Sequence, residues 1–320
     1  MQAAILAHFG GDPVVREMRD PAPDHSEALV EVSMAALNPV DLRVATGGFY
    51  GARPELAYVV GSEGVGVVRA SRRWPAGQRV RFGLARPGAL AEIVAARDDS
   101  LVAVPDAVSD MLAAGIGIAG MAAWCSLAAG RLHEGDRVLV LGATGATGRL
   151  GVQVARLLGA ARVVAAGRDA AALADLVDLG AHATVVLDGR DPAALAEAIV
   201  DAAEGRLDVI IDPLWGEPAL SGAMAAASGA RLVNLGDSAG TTMSLPSALL
   251  RSQRMEILGY TNIALSEPEQ RSAIESLLHH ASKGRLRLDH KVVALEEATA
   301  AWAAQAGSPH AKVLVQVKRA

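Results

Sequence analysis

The chain has 320 residues and a mass of 32.8 kDa, and 51% of it is apolar, enough to build one large core or two ordinary ones. A formal net charge of −5 and a pI near 5.9 give no general attraction for phosphate backbones or anionic lipid, so neither nucleic acid nor a membrane surface is expected as a partner. Cys125 is the single cysteine, which excludes an intramolecular disulfide or a site of several thiolates and fits a reducing cytoplasm.

In chain order, the opening stretch MQAAILAHFGGDPVVREMRDP lacks a basic start followed by a long apolar core, so no secretory signal is expected. AAILAHF, EALVEVSMAAL, VVGSEGVGVVRA, QRVRFG and LAEIVAA are short runs broken by Gly, Pro and charged turns, and they predict a small barrel-like β domain. Residues 111–130 carry no charge and approach the length of a membrane span, yet they are mostly Ala and Gly without a basic flank. A buried helix is the expectation there.

From about residue 117 strands and helices alternate. Strands are predicted at 138–141, 162–166, 183–187, 207–213 and 230–236, with helices at 148–158, 170–179, 192–203 and 218–227 between them. Such alternation needs crossovers and favours a parallel sheet covered on both faces. The end of the chain reverts: after a helix at 267–283, HKVVAL and AKVLVQV read as strands flanking a short helix at 295–304, returning to the first domain. The expected domains are therefore 1–116, completed by 266–320, and 117–265.

The stretch VLVLGATGATGRLG places Ala143, Thr144, Gly145, Ala146, Thr147 and Gly148 between a strand and a helix. Gly145 lets backbone approach a pyrophosphate, Gly148 allows close helix–sheet packing, and free N–H groups of the helix start face the anion. Ala143 stands where the first glycine is usual. About twenty residues on, Gly167 occupies the place of the acid that would hold the 2′-hydroxyl of NAD, and Arg168 follows it. A guanidinium there pairs with a 2′-phosphate, so NADPH (NADP+) is the expected cofactor, with Asp169 a competitor for a ribose hydroxyl. The loops after later strands complete such sites, which selects Asp212 in DPLWG and Leu235 and Gly236 in NLGDSAG.

These motifs, together with LVEVSMAALNPVDLRVATGGFY, GALAEIVAARDDSLVAVP, GMAAWCSL and HAKVLVQV, make the chain resemble the medium-chain dehydrogenase/reductase superfamily and its zinc-independent quinone oxidoreductase-like branch. The resemblance implies an α/β protein: a GroES-like β-barrel catalytic domain plus a Rossmann domain with a doubly wound parallel sheet, and NADPH between them. It also implies a homodimer, through the strand RMEILGY. Where zinc relatives carry a ligand cysteine the chain has Asn38, and where they carry a Gly-His-Glu ligand motif it has Gly61, Ser62 and Glu63, so the set of metal-ligating side chains is absent. Without a metal, hydride addition to a quinone or enone, which spreads the developing charge, is easier than addition to a simple ketone.

Carried over by position, Asn38 resembles the polar residue beside the nicotinamide ribose or substrate oxygen, Asp41 the acid of the same motif, and Tyr50 the group that bonds the acceptor carbonyl or supplies a proton. The plainer alternatives are a turn cap for Asn38, a helix cap for Asp41, and wall packing for Tyr50, with Phe49 in the aromatic position. Trp215 narrows a substrate cleft or packs in the core, and Cys125 is inert by burial. Reduction of an enoyl thioester, or NADPH binding without turnover, stays open as an alternative function.

Overall fold

The short apolar runs of the first hundred residues form β1 (Gln2–Leu6), β2 (Val14–Glu17) and β3 (Glu27–Ala36), then the helix α1 (Pro39–Ala45). After it come β4 (Tyr58–Val59), β5 (Glu63–Ala70), β6 (Arg79–Gly83), β7 (Ile93–Arg97) and β8 (Val102–Ala103). The structure is a computed structural model that describes residues 1–51 and 53–318. Two helices follow, α2 (Asp110–Gly115) and α3 (Ile118–Ala129).

The alternating region is β9 (Arg137–Val140), α4 (Ala146–Leu157), β10 (Arg162–Gly167), α5 (Ala170–Ala174), β11 (Ala183–Val186) and α6 (Pro192–Ala203). It continues as β12 (Leu207–Asp212), α7 (Gly216–Met224), β13 (Ala226–Asn234), α8 (Ser247–Ser252) and β14 (Glu256–Gly259). The chain ends with α9 (Glu267–Ser282), β15 (His290–Ala294), α10 (Ala298–Ala306) and β16 (Lys312–Gln316). These elements divide into two units, Met1–Ala119 with Leu265–Ala320, and Gly120–Ala264.

In the first unit β3 is the hub. It pairs antiparallel with β5, β7 and β16, so the last strand of the chain closes on one of the first. Its alternation buries Ala28, Val30 and Val32 against Leu37, Phe82, Leu90 and Val313. The sheet runs β15-β16-β3-β5-β6-β8, and a second, three-stranded sheet runs β2-β1-β4.

The second unit is a parallel sheet in the order β11-β10-β9-β12-β13-β14. Strand order runs outward in both directions from β9 and β12, which makes the carboxyl ends of those two strands the switch point of a doubly wound fold. Leu139, Val164, Ile210 and Leu232 carry its core. The expected fold class, a GroES-like β domain plus a Rossmann sheet, is the one observed.

Some predicted helices end before their patterns; the one predicted over 218–227 is α7, which stops at Met224, and residues 226 and 227 begin β13. Helix α5 stops at Ala174, where the prediction ran to 179. The uncharged stretch 111–130 is not one helix but two, broken at Ile116 and Gly117. A buried carboxylate causes the break: Glu63 Oε2 accepts the Ile118 N–H at 2.6 Å, and a side chain at Gly117 would overlap that carboxylate and Arg81. Among the described residues no helix is long and apolar enough to cross a membrane.

Gly148 sits where α4 crosses β9. A Cβ there would lie 2.5 Å from Ala143 Cα and 2.5 Å from the Gly142 carbonyl oxygen, both rigid backbone, whereas a Cβ at Gly145 would approach nothing nearer than the Gly142 oxygen at 3.6 Å. Gly148→Ala therefore lowers unfolding free energy by about 1–3 kcal/mol through overpacking. Gly145→Ala lowers it by less than about 1 kcal/mol, the loss of a good helix-capping residue. Urea titration of the two variants checks the contrast.

Candidate functional site

In the first unit a buried polar cluster gathers around Glu63, the first residue of β5, which is 0% exposed. Its Oε2 accepts from Arg81 Nη2 at 2.7 Å, and its Oε1 accepts from Lys312 Nζ at 3.2 Å and from Asn38 Nδ2 at 2.9 Å. Lys312 also donates to Asn38 Oδ1 at 2.5 Å. Arg81 on β6 and Lys312 at the start of β16 are themselves buried. Burial pushes the Glu63 carboxyl up, but the Lys312 and Arg81 charges and the Asn38 and Arg81 hydrogen bonds outweigh it and hold it below its usual value.

Asn38 is thus occupied inside the unit. Expected beside a ribose or an acceptor oxygen, its amide is clamped instead between Lys312 and Glu63, and only 2% of the residue is exposed. Its backbone N–H donates to Asp41 Oδ2 at 2.7 Å across the first turn of α1, the cap that Pro39 and an acid at the third position favour.

Asp41 is buried as well, and its Oδ1 accepts from Ser62 Oγ at 2.5 Å. Burial raises its pKa to about 6; the Ser62 and Asn38 bonds and the Lys312 charge oppose that rise, and the Glu63 charge adds to it. Tyr58 on β4 carries a buried hydroxyl with no hydrogen-bond partner among the described residues, pushed up to about 12 by burial and by the Asp41 charge. Tyr50, the expected proton donor, is 72% exposed, with its ring 4.6 Å from that of Phe49.

In the second unit the glycine turn lies against the loops after β10 and β12, Thr144 beside Gly167 and Gly142 beside Pro213 and Leu214. At the start of α4 the N-cap residue, Gly145, is exposed and has no side chain to cap the first turn, with Ala146 and Thr147 half-buried behind it. Ala143 is buried and its N–H bonds the Ala166 carbonyl on β10. Thr144 stands beside Gly167: a Cβ at Gly167 would press on Thr144 Cγ2 at 3.0 Å, which disfavours the acid usual at that place.

Arg168 follows, exposed, while Asp169 turns its Oδ1 to the Ala171 and Ala172 N–H groups and caps α5. The guanidinium is therefore the charge presented at this corner. The residues present fit a phosphorylated dinucleotide: open amides at a helix start, a bare turn, and a cation where the ribose acid would be.

Asp212 works from beneath. It is fully buried, its Oδ1 accepts from the Leu214 and Trp215 N–H groups, and its Oδ2 accepts from Asn234 Nδ2 at 2.9 Å. Burial raises its pKa despite those bonds. It ties the loop after β12 to the loop after β13, where Asn234 Nδ2 donates to the Gly236 carbonyl at 2.7 Å and the Leu235 N–H bonds the Asp212 carbonyl. Leu235 and Gly236 are thus held at the carboxyl end of the sheet by a carboxylate that itself meets no solvent. Trp215, half-buried, packs on the core of this unit at a φ of +57°, and Cys125 on α3 is half-exposed where burial was expected.

Sequence reading missed Arg81, Lys312 and the Ser62 hydroxyl. One signal was available: Lys312, one of only four lysines in the chain, opens an otherwise apolar strand.

Residues 24–106 match the alcohol dehydrogenase GroES-like domain family, and residues 146–278 match the zinc-binding dehydrogenase family. The chain is 32% identical over 319 residues to a phenolphthiocerol/phthiocerol polyketide synthase polypeptide of Mycobacterium tuberculosis, an alignment covering 95% of this chain and 14% of that protein. It is 31% identical to the quinone oxidoreductase of Pongo abelii over half of each chain. With the quinone oxidoreductase of Mus musculus it shares 28% identity over 74% of this chain and 73% of that one. It thus spans about a seventh of the first of these relatives and half of the second. Among solved structures, the quinone oxidoreductase of Thermus thermophilus, determined also in complex with NADPH, superposes with a TM-score of 0.85 at 27% identity, covering 99% of this chain and 100% of that one.

The zinc in one family description does not fit the Asn38 cluster. The oxygens of Asn38 and Glu63 that would face a metal share an ammonium instead, and a second cation, Arg81, lies on the other Glu63 oxygen.

The two buried acids respond to pH with opposite signs. Glu63, held low, contributes stability above its unfolded value and loses it as pH falls. Asp41, held high, binds its proton more tightly in the folded state, so its contribution is present below about pH 4 and is lost as pH rises toward 6. Between pH 4 and 7 the unfolding free energy of Asp41→Asn should gain on that of the parent by on the order of 2 kcal/mol, read from urea midpoints across the range. A constant difference between the two proteins would contradict the raised Asp41 pKa.

Proposed function

The chain belongs to the medium-chain dehydrogenase/reductase superfamily, in its quinone oxidoreductase-like branch, and from that premise we propose that it is an NADPH-dependent oxidoreductase that reduces a quinone or an α,β-unsaturated carbonyl without a metal. The observation that carries the reading is the uncapped start of α4 beside Gly167 and the exposed Arg168. The Ala146 and Thr147 N–H groups and Gly145 would hold the pyrophosphate, with Ala143 and Thr144 flooring the turn, and Arg168 would pair with the 2′-phosphate. Leu235 and Gly236 line the nicotinamide half, held by Asp212 from below. When bound, NADPH supplies a hydride.

Lys312 and Arg81 provide fixed positive charge where zinc relatives use a metal, and Asn38 and Asp41 are oriented by that cluster. Such an arrangement suits an acceptor that delocalises its developing charge and does not need a Lewis acid. For Tyr50, exposed beside Phe49, we propose the role the resemblance implies, a wall or a donor toward the acceptor. With a single cysteine in the sequence, we place the protein in a reducing cytoplasm.

NADPH oxidation, followed by loss of reduced-nicotinamide absorbance with a panel of quinones and enones, tests the reading, and it should persist undiminished in strong chelator. Arg168→Ala should weaken NADPH binding about 10- to 100-fold, as loss of a charge-assisted pair does, while leaving NADH binding nearly unchanged. Equal losses for both cofactors would remove the 2′-phosphate assignment, and binding without turnover of any acceptor would leave a nucleotide-binding protein.

The alignment with a segment of a polyketide synthase favours a second reading of the same chemistry, reduction of an enoyl thioester. A higher kcat/KM for crotonyl-CoA than for any quinone would select it.

The protein further assembles as a homodimer through β14. This strand ends the second sheet, pairs on one side only with β13, and exposes Glu256, Ile257 and Gly259. Ile257→Lys should convert a sedimenting dimer to monomer, and an unchanged sedimentation coefficient would place the contact elsewhere.

A further inference from the structure

We infer that Ser62 is the proton donor to the reduced acceptor, with Asp41 behind it as the source, a two-group relay from the interior of the first unit to its surface. The inference rests on the reductase reading above and names the residue that completes it.

Among the described residues two groups bond the Asp41 carboxylate. The Asn38 backbone N–H fixes Oδ2 at 2.7 Å and is itself buried. Ser62 Oγ, at 2.5 Å from Oδ1, is half-exposed, and the Ser62 carbonyl is pinned by the Leu84 N–H at 2.9 Å. The hydroxyl of a half-exposed residue that bonds a buried acid can exchange a proton with that acid and pass it on to a group arriving from solvent.

The neighbouring polar groups are otherwise committed. Asn38 Nδ2 donates to Glu63, and Lys312 is bonded by both Asn38 and Glu63. The Tyr58 proton is buried and held to about pH 12. Asp41 is faced by Glu63 from β5, Lys312 from β16 and Tyr58 from β4. Burial is the dominant influence on it and favours the protonated form. Ser62 also occupies the central position of the Gly-Ser-Glu stretch where a metal-ligating histidine is missing.

Once a hydride has added to the β-carbon of an enone, the substrate is an enolate. The Ser62 Oγ–H bond breaks as a C–H bond forms at the α-carbon, and the Asp41 carboxylic proton moves to Ser62 Oγ. Asp41 is left as a carboxylate and regains its proton from water. A reduced quinone is a weakly basic phenolate that water protonates, so it depends far less on the relay.

The test compares Ser62→Ala, Ser62→Thr, Asp41→Asn and Tyr50→Phe on 2-cyclohexenone and on 1,4-benzoquinone. Ser62→Ala should lower kcat for the enone about 100-fold, the scale of a lost general acid, while KM and benzoquinone turnover stay within about threefold. Ser62→Thr should restore the enone rate. In the parent, enone turnover should fall as pH rises through about 6, since the acid form is the donor, and Asp41→Asn should lose that limb.

Carbon-13 NMR of the Asp41 carboxyl supplies a readout independent of turnover. Its titration should move upward in Ser62→Ala, because the Ser62 bond holds it down. An unchanged enone kcat in Ser62→Ala, an unmoved Asp41 titration, or a loss found in Tyr50→Phe instead would overturn the relay while leaving the reductase standing. Failure of the parent to oxidise NADPH with either acceptor would overturn both.

Discussion

The Glu63 carboxylate organises the first unit. Fully buried, it is reached by Arg81 from β6, Lys312 from β16, Asn38 from the start of α1 and the Ile118 N–H at the start of α3. Taking these ions out of water costs several kcal/mol each, which their mutual attraction repays only where the geometry is good; both Glu63 oxygens are met, while Arg81 Nε has no partner among the described residues. The break between α2 and α3 follows from the same demand, since the carboxylate claims an N–H that a continuous helix would have bonded to itself. Lys312 adds a second constraint by tying the chain's last strand to residues more than two hundred positions earlier.

A buried ion cluster of this kind adds little net stability over well-packed apolar side chains. What it does supply is orientation. Lys312 and Glu63 hold the two ends of the Asn38 amide, so the side chain cannot flip without placing like groups against each other. The fixed Asn38 backbone then sets one oxygen of Asp41, leaving the other to Ser62. Charge deep in the unit thereby determines the geometry of a hydroxyl near its surface.

The second unit solves the opposite problem. In the proposed function the useful groups there are the amides at the start of α4, where Gly145 supplies no side-chain cap, while Asp169 caps α5 and Asp191 caps α6. Asp212 acts as an internal brace, its carboxylate bonds to Leu214, Trp215 and Asn234 making a rigid pair of loops without presenting its own charge. These contrasts explain what was legible beforehand. The strand-and-helix alternation, the glycine turn and the Gly167–Arg168 corner are written within about thirty consecutive residues or in a local period, so pattern alone finds them. Asn38 and Asp41 were found by motif, but not their occupations, because Lys312 lies 274 residues from Asn38 and 249 from Glu63, and no local signal pairs such positions.

One matching family is described as zinc-binding, whereas the Asn38 and Glu63 oxygens of this chain hold an ammonium. A divalent ion needs several convergent anionic or neutral donors and an open position, and it polarises a single bound oxygen strongly. Lys312 offers one charge, already bonded to Asn38 and Glu63, so it has little capacity left to bind an alkoxide directly. It can act on the field instead, holding Glu63 ionised and Asn38 aligned while burial leaves Asp41 reluctant to ionise. On the function proposed for it, a site built this way would stabilise a localised negative oxygen poorly and hand over a proton well, a division of labour that would favour acceptors whose charge is already spread before the proton arrives.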